Sequence, residues 1–438
     1  MTKKFSLKRF LLWIAASIFI TQSVAAYEVG THEEMSGQAA RSSSLNKYLS
    51  LIGLKSLEDE LTDTDTKLSI VDWIRQGANS EDDTLSLNFA RYRNHFYNPL
   101  SGLGLNALGS GEPSPDWGLE NTRDFATQRY SFKDARQYFY DALTLTDKDN
   151  REMFMARTFY TLGHVIHLIQ DMAQPQHTRN DSHGGGIFGP SSRYEKYTDW
   201  KDIRPHLPFT GYAPVYSETD TTTFTTPRQF WSTTPGNGNG GKGIAEYSNR
   251  GFFSAGTLPG KGSFTSPSID ISTRVDADIA TLCATVTGGK PACPPRLSGT
   301  MTFFSNTVTD TLRSGMTTVN ARVATYSLFD QDLKDAGTDP VFSLNRFNFD
   351  AAHAFLIPRA VAYSAGLINY FFRGKIDFVP DPDKTGFYRI KNLGNEDMSG
   401  VFALYYDAVD GKRHKVPGAS WNVWVVKNGQ SDPRLMKM

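Results

Sequence analysis

Cysteine is scarce in this chain, with two in 438 residues, Cys283 and Cys293. No C-x-x-C pair occurs, which argues against a thiolate metal site. Charge excess is lacking as well. The 46 basic and 46 acidic residues leave no footprint for general nucleic-acid binding. Long apolar runs are limited to Phe10–Ile20, of signal-peptide length and too short to span a membrane comfortably. There is no Ser/His/Asp nucleophile motif and no phosphate-cradling glycine loop, which disfavours covalent catalysis and nucleoside-triphosphate use. No internal repeat is visible.

The apolar run follows a basic start, Lys3, Lys4, Lys8 and Arg9, and precedes the small residues Val24 and Ala26. Residues 1–26 therefore read as a signal peptide, with Tyr27 as the first mature residue and cleavage after Ala25 as the near alternative. Removing the four basic residues leaves 42 basic against 46 acidic, a net charge of about −4. A soluble, exported protein is expected, secreted or periplasmic. In such an oxidising compartment, Cys283 and Cys293 in a Gly/Pro-containing loop read as a local disulfide.

Helical patterns predict elements at 31–55, Ile70–Gln76 (ended by Gly77), Ser131–Leu145, Arg151–Met172, Gly243–Ser254 and His353–Phe372, the last interrupted by Pro358. Residues 98–118 read as loop. Thr-, Pro- and Gly-rich stretches mark insertions at about 205–243 and 257–340. Strand-like segments follow at Phe387–Lys391, Val401–Asp407 and Trp421–Val426, with Asp410-Gly411 as a hairpin signal. The fold expected is mainly α: a multi-helix domain over 27–375 carrying loop insertions, then a small β-module over 376–438.

The densest chemistry lies in Leu162–Asp181, LGHVIHLIQDMAQPQHTRND. His167 and Asp171 are four apart in an apolar helical pattern and so share one face. Pro175 ends the pattern, and His177 can fold back toward the same point. A lone histidine on a helix is ordinarily just packed or solvated. Asp171, however, interrupts Val165, Ile166, Leu168, Ile169 and Met172, where an unpaired carboxylate is costly. Imidazole and carboxylate together suit zinc and similar divalent metals. Other candidates are His32, Asp82 at a helix end, His95 in RNHFYNP, and Glu195 in SSRYEKY. Each alone has a bland reading as a solvated acid, a core histidine or a surface ion pair.

Taken in order, these residues resemble the zinc-dependent phospholipase C group, which shares its fold with zinc-dependent single-strand nucleases. Asp82 follows Gly77 by five residues, as that family's Asp follows its Gly. HFYNP is similar to the family's HFYDP or HFWDP, and LGHVIHLIQDMAQPQH to its LG-x3-H-x3-D-x3-P-x-H core. The likeness covers about 27–200, with weaker echoes at Gly243–Ser254 and Tyr363–Phe372.

The resemblance implies a multi-helix phospholipase C/nuclease-like domain and three zinc ions. One would take Asp82, His95, His167 and Asp171, with Asp171 bridging to a second. Another would take His177 and Glu195 with a further histidine. The remaining one would take His32 and the α-amine and carbonyl of Tyr27, where the family usually has Trp. The family also carries a histidine four residues before the glutamate, and this chain has Ser191 there. His183, in SHGGG, is the nearest replacement; the other reading makes it a loop histidine with no ligand role. His164 reads as core or as a residue orienting a ligand, and His206, His353 and His414 carry no site signal.

The implied activity is water-activated phosphodiester hydrolysis, with Asp82 also able to act as base. The implied substrate is a phospholipid or another phosphodiester, with transient membrane-surface contact and no stable nucleic-acid partner. HFYNP favours the phospholipase C branch. The five-residue gap from Tyr27 to His32 speaks for a single-strand nuclease or nucleotide phosphodiesterase. Ser191 and the insertions motivate a zinc-binding, non-enzymatic surface protein with a decayed site.

Overall fold

The structure is a computed structural model that describes residues 29–82, 91–106, 111–120, 128–183, 191–219, 221–237, 240–258, 273–284, 293, 298–313, 316–337 and 341–435. Tyr27 and the expected signal segment lie outside the described residues. Helix α1 is Val29–Ser42 and α2 is Leu45–Leu49. A hairpin, β1 (Glu60–Asp63) with β2 (Thr66–Ser69), leads into α3, Ile70–Ser80. The short α4 (Ser114–Leu119) interrupts a stretch that reads as loop, and α5 is Phe132–Thr144. The central α6, Lys148–Asp171, is capped by the Asp147 side chain on the Asn150 amide. Then come α7 (Pro175–Thr178), α8 (Arg193–Asp199) and α9 (Ile244–Gly251).

Helix α3 does not end at Gly77, as its sequence suggests, but continues to Ser80. Gly77 serves close approach rather than termination. A Cβ there would lie 1.9 Å from the Tyr160 carbonyl oxygen, and one at Gly163 would lie 2.2 Å from that of Ile74. The two glycines bring α3 and α6 into backbone contact. This crossing sets the end of α3, with Glu81 and Asp82, against the inward face of α6.

The expectation of a mainly α fold needs correction, because the chain mixes helices with several small sheets. The largest sheet occupies a region expected to be loop insertion. Strands β3 (Arg274–Asp278), β4 (Thr300–Thr309), β5 (Thr317–Tyr326) and β6 (Phe342–Ser343) form an antiparallel sheet in that order, with α10 (Ile279–Ala284) and α11 (Asp330–Asp335) between them. The Ser, Gly and Pro that suggest loop flank the strands, while TMTFFSNTVT and TTVNARVATY are rich in β-branched and aromatic residues. Both faces of β4 are covered. Phe304 enters the main core, and Phe303 packs with Ile279 and Phe347 in a smaller cluster. Against that cluster lie Cys283 and Cys293, which form the expected disulfide. The disulfide accords with an oxidising, extracytoplasmic compartment.

Helix α12, Arg346–Phe371, runs through Pro358. It is the one helix among the described residues long and apolar enough to cross a membrane. Its apolar window is 83% buried inside the protein, so it is a core helix. It packs on α1, α6 and β5. The C-terminal β-module follows. Strands β7 (Ile376–Pro380), β8 (Phe387–Asn392) and β11 (Arg434–Leu435) make one sheet, and β9 (Met398–Asp407) with β10 (Arg413–Val425) a hairpin. The hairpin turns at Asp410-Gly411, where Gly411 has φ 81°, and Asp407 pairs with Arg413. Its turn rests on the helical body, where Arg151 donates to the Gly411 carbonyl at 3.0 Å and the Arg413 amide to that of Thr146 at 2.9 Å.

Candidate metal centre

Seven stretches of chain meet at one buried place. Helix α1 brings His32, the end of α3 brings Asp82, and a 3-10 turn, Tyr92–His95, brings His95. Helix α6 brings His167 and Asp171, α7 brings His177, and α8 brings Glu195. His183 reaches the same place from the segment after α7. All eight side chains are buried. Their ligand atoms fall into three groups, each compact enough to hold one metal ion: His32 with His167 and Asp171, Asp82 with His95 and His167, and His177 with His183 and Glu195. Tyr27, the remaining expected ligand, is outside the described residues.

Asp171 stands between the first two groups. Its Oδ1 is 3.5 Å from His32 Nε2, and its Oδ2 is 3.1 Å from His95 Nδ1 and 3.5 Å from His167 Nε2. Asp82 faces the same rings, with Oδ1 3.5 Å from His95 Nδ1 and Oδ2 3.6 Å from His167 Nε2. In the third group, Oε1 of Glu195 lies 2.6 Å from His183 Nε2 and 3.7 Å from His177 Nε2. The groups are tied together, since His177 Nδ1 donates to the His95 carbonyl at 3.0 Å. Phe96 stacks on the His177 ring.

The outer nitrogen of each ring is committed. Nδ1 of His167 donates to the Ala78 carbonyl at 2.7 Å and Nδ1 of His183 to that of Asp181 at 2.7 Å. Nδ1 of His32 lies 2.7 Å from the Gln170 amide oxygen. Carbonyl oxygens only accept, so each Nδ1 carries a proton and Nε2 is the nitrogen that faces inward. His95 is turned the other way. Its Nε2 is 3.4 Å from Glu81 Oε1, and its Nδ1 faces the two aspartates.

Glu81 was not distinguishable in the sequence from a solvated acid at a helix end. In the structure it is buried, ion-paired to Arg91, 2.5 Å from His164 Nδ1, and accepts from the Trp117 indole. His164 is thus a neighbour of the site through Glu81. Gln170 was missed too; the only signal was an amide inside an apolar run, which must find hydrogen bonds when buried.

The electrostatics match a site for cations. Burial pushes the Asp82 carboxyl up to about 7, with Asp171 and Glu81 adding to the rise against His95 and His32. Burial would lower the His95 pKa, but Asp171, Glu81 and Asp82 overcome it and raise it to about 10. Glu195 likewise outweighs burial at His183 and raises it to about 9. Burial and the stacked His32 ring hold His167 well below its ordinary value. Both oxygens of Asp82 and of Asp171, and Nε2 of His167 and His177, carry no hydrogen bond among the described residues. Buried polar atoms are nearly always paired, and here oxygen and nitrogen lone pairs converge. That donor set fits divalent metal ions of the zinc type. Against known proteins, no family model and no curated protein matches this chain.

Proposed function

We propose that the protein is an exported, zinc-dependent phosphodiester hydrolase, most like phospholipase C. The observation that carries this reading is the placement of Asp171, one oxygen toward His32 and the other toward His95 and His167. A carboxylate shared in this way suits two adjacent ions, and His177, His183 and Glu195 offer a third position beside them. Clustered dications polarise a phosphoryl oxygen, lower the pKa of a water and neutralise charge that builds on phosphorus.

The chain's own residues supply the rest. Asp82, Asp171 and Glu195 contribute three buried carboxylates, which hold cations and disfavour a bare anionic substrate. Asp82, whose carboxylate faces His95 and His167, can take the proton of an attacking water at its Oδ atoms. The backbone carbonyls of Ala78, His95 and Asp181 hold the imidazoles in position, so that little reorganisation accompanies binding. His183 stands against Glu195 where Ser191 departs from the family pattern, which supports an intact site over a decayed one.

The test is metal analysis of the mature protein with two substrates, phosphatidylcholine and single-stranded DNA. Three zinc ions per chain and release of phosphocholine from phosphatidylcholine are the expected results. Cleavage of single-stranded DNA without lipid hydrolysis would move the protein to the nuclease reading. Metal with neither activity would leave the non-enzymatic one. His167→Ala is expected to abolish both zinc binding and hydrolysis while the helical fold, held by the apolar face of α6, persists.

A further inference from the structure

Gln170 lies on α6 between His167 and Asp171, fully buried, and is not itself suited to a metal of this kind. Its amide oxygen is 2.7 Å from His32 Nδ1. Its amide nitrogen donates to Ser36 Oγ at 2.9 Å and reaches Ser364 Oγ at 3.5 Å. His32 and Ser36 are four apart on α1 and so present to the same side, while Ser364 comes from α12. The two hydroxyls accept from the NH2 end, and the amide oxygen faces His32, where it can only accept.

We infer that Gln170 is a positioning residue that fixes the tautomer of His32, keeping its ring proton on Nδ1 and its Nε2 lone pair toward Asp171 and the metal position. The inference rests on the metal-centre reading above. Without the amide oxygen, Asp171 Oδ1, 3.5 Å from Nε2, competes for the ring proton. The proton on Nε2 would then occupy the position a metal needs. Partners of this kind, one bond removed from the ion, typically change metal affinity by about 10–100-fold when removed.

The test is a double-mutant cycle on the mature protein, with zinc affinity measured by chelator competition and stoichiometry by elemental analysis. Gln170→Leu is expected to weaken one of the three ions by about 10–100-fold and leave the other two as in the wild type. His32→Ala should weaken the same ion. The double variant should bind it no more weakly than His32→Ala alone, because Gln170 acts through that ring.

Gln170→Glu is the rescue. A carboxylate also accepts from Nδ1, so zinc affinity should return to the wild-type level, although the metal-free protein, burying an added charge, melts lower than Gln170→Leu. A merely structural amide would show the reverse order in metal affinity. Unchanged affinity in Gln170→Leu, additive losses in the double variant, or no rescue by glutamate would each overturn the assignment. A wild-type protein that takes up no divalent ion would instead remove the metal-centre reading itself.

Discussion

His183 and Glu195 meet at 2.6 Å between Nε2 and Oε1, while Ser191, four residues before the glutamate, accepts instead from Lys196 Nζ at 2.9 Å. The candidate ligand group after α6 therefore draws on a histidine that precedes Ser191 in the chain. His183→Ala is expected to lose one ion of the three, weakening it by more than tenfold. Adding Ser191→His to that variant tests whether the helical position can substitute, with recovered zinc content as the readout. Full zinc content in His183→Ala would return this residue to the status of a loop histidine.

On the metal-centre reading, metal ions and protons would compete for these rings. In the metal-free protein, His95 and His183 titrate near 10 and 9, above the ordinary 6.5. Both are charged at neutral pH, and a histidine must shed its proton to bind metal. Zinc uptake at pH 7.5 should therefore release roughly two protons from these rings plus a share from Asp82. Calorimetry in buffers of different ionisation enthalpy counts them. The raised values also mean that the charged rings stabilise the metal-free fold. That contribution is complete below 6.5 and fades as pH rises through 9 to 10. Metal-free melting temperature should fall across that window while zinc affinity climbs. Parallel slopes would contradict the assignment.

Gly77→Ala should be among the most damaging single-methyl additions in the protein. The new Cβ would meet the Tyr160 carbonyl oxygen, a backbone atom that cannot rotate away. Separating α3 from α6 should cost about 3 kcal/mol, the upper end for overpacking. It should also move Asp82 from His167 and reduce zinc content. Chemical denaturation and metal analysis of one sample check both, and a stable variant with full zinc would refute the coupling.

Glu81→Gln removes the charge that partners Arg91, both being buried. Leaving a buried guanidinium uncompensated costs about 3–5 kcal/mol, whereas removing both charges can be neutral. Glu81→Gln combined with Arg91→Met should therefore be more stable than Glu81→Gln alone. Equal stability of the two variants in urea would mean that the pair is not coupled.

The helical elements were legible wherever an apolar face of one period ran for several turns, as in α5, α6 and α12. The capped start of α5 at Ser131 was legible, whereas those of α6 and α12, capped by Asp147 and Asn345, lie three and seven residues before the starts read from sequence. Gly77 misled because a glycine that ends a helix and one that lets another helix approach look alike in sequence. The sheet of β3–β6 was hidden because β4 is covered on both faces, and its FF pair breaks the alternation that marks a half-buried strand. At the site, His167 and Asp171 stood out as polar residues in an apolar run. Glu81 and His183 did not, because their burial comes from distant partners, Arg91 and Glu195, that local pattern cannot supply.

The ends of α3 and α6 carry a further consequence for what the site can attract. Both helices finish at the metal centre, Ser80 being the last residue of one and Asp171 of the other. Peptide dipoles sum along a helix to a partial negative charge at its C-terminus. Phosphate-binding folds commonly do the opposite and present helix N-termini to the anion. At these two helix ends the backbone field joins Asp82 and Asp171 in favouring cations. On the proposed function, attraction for a phosphodiester would then come from bound ions rather than from these two helix ends.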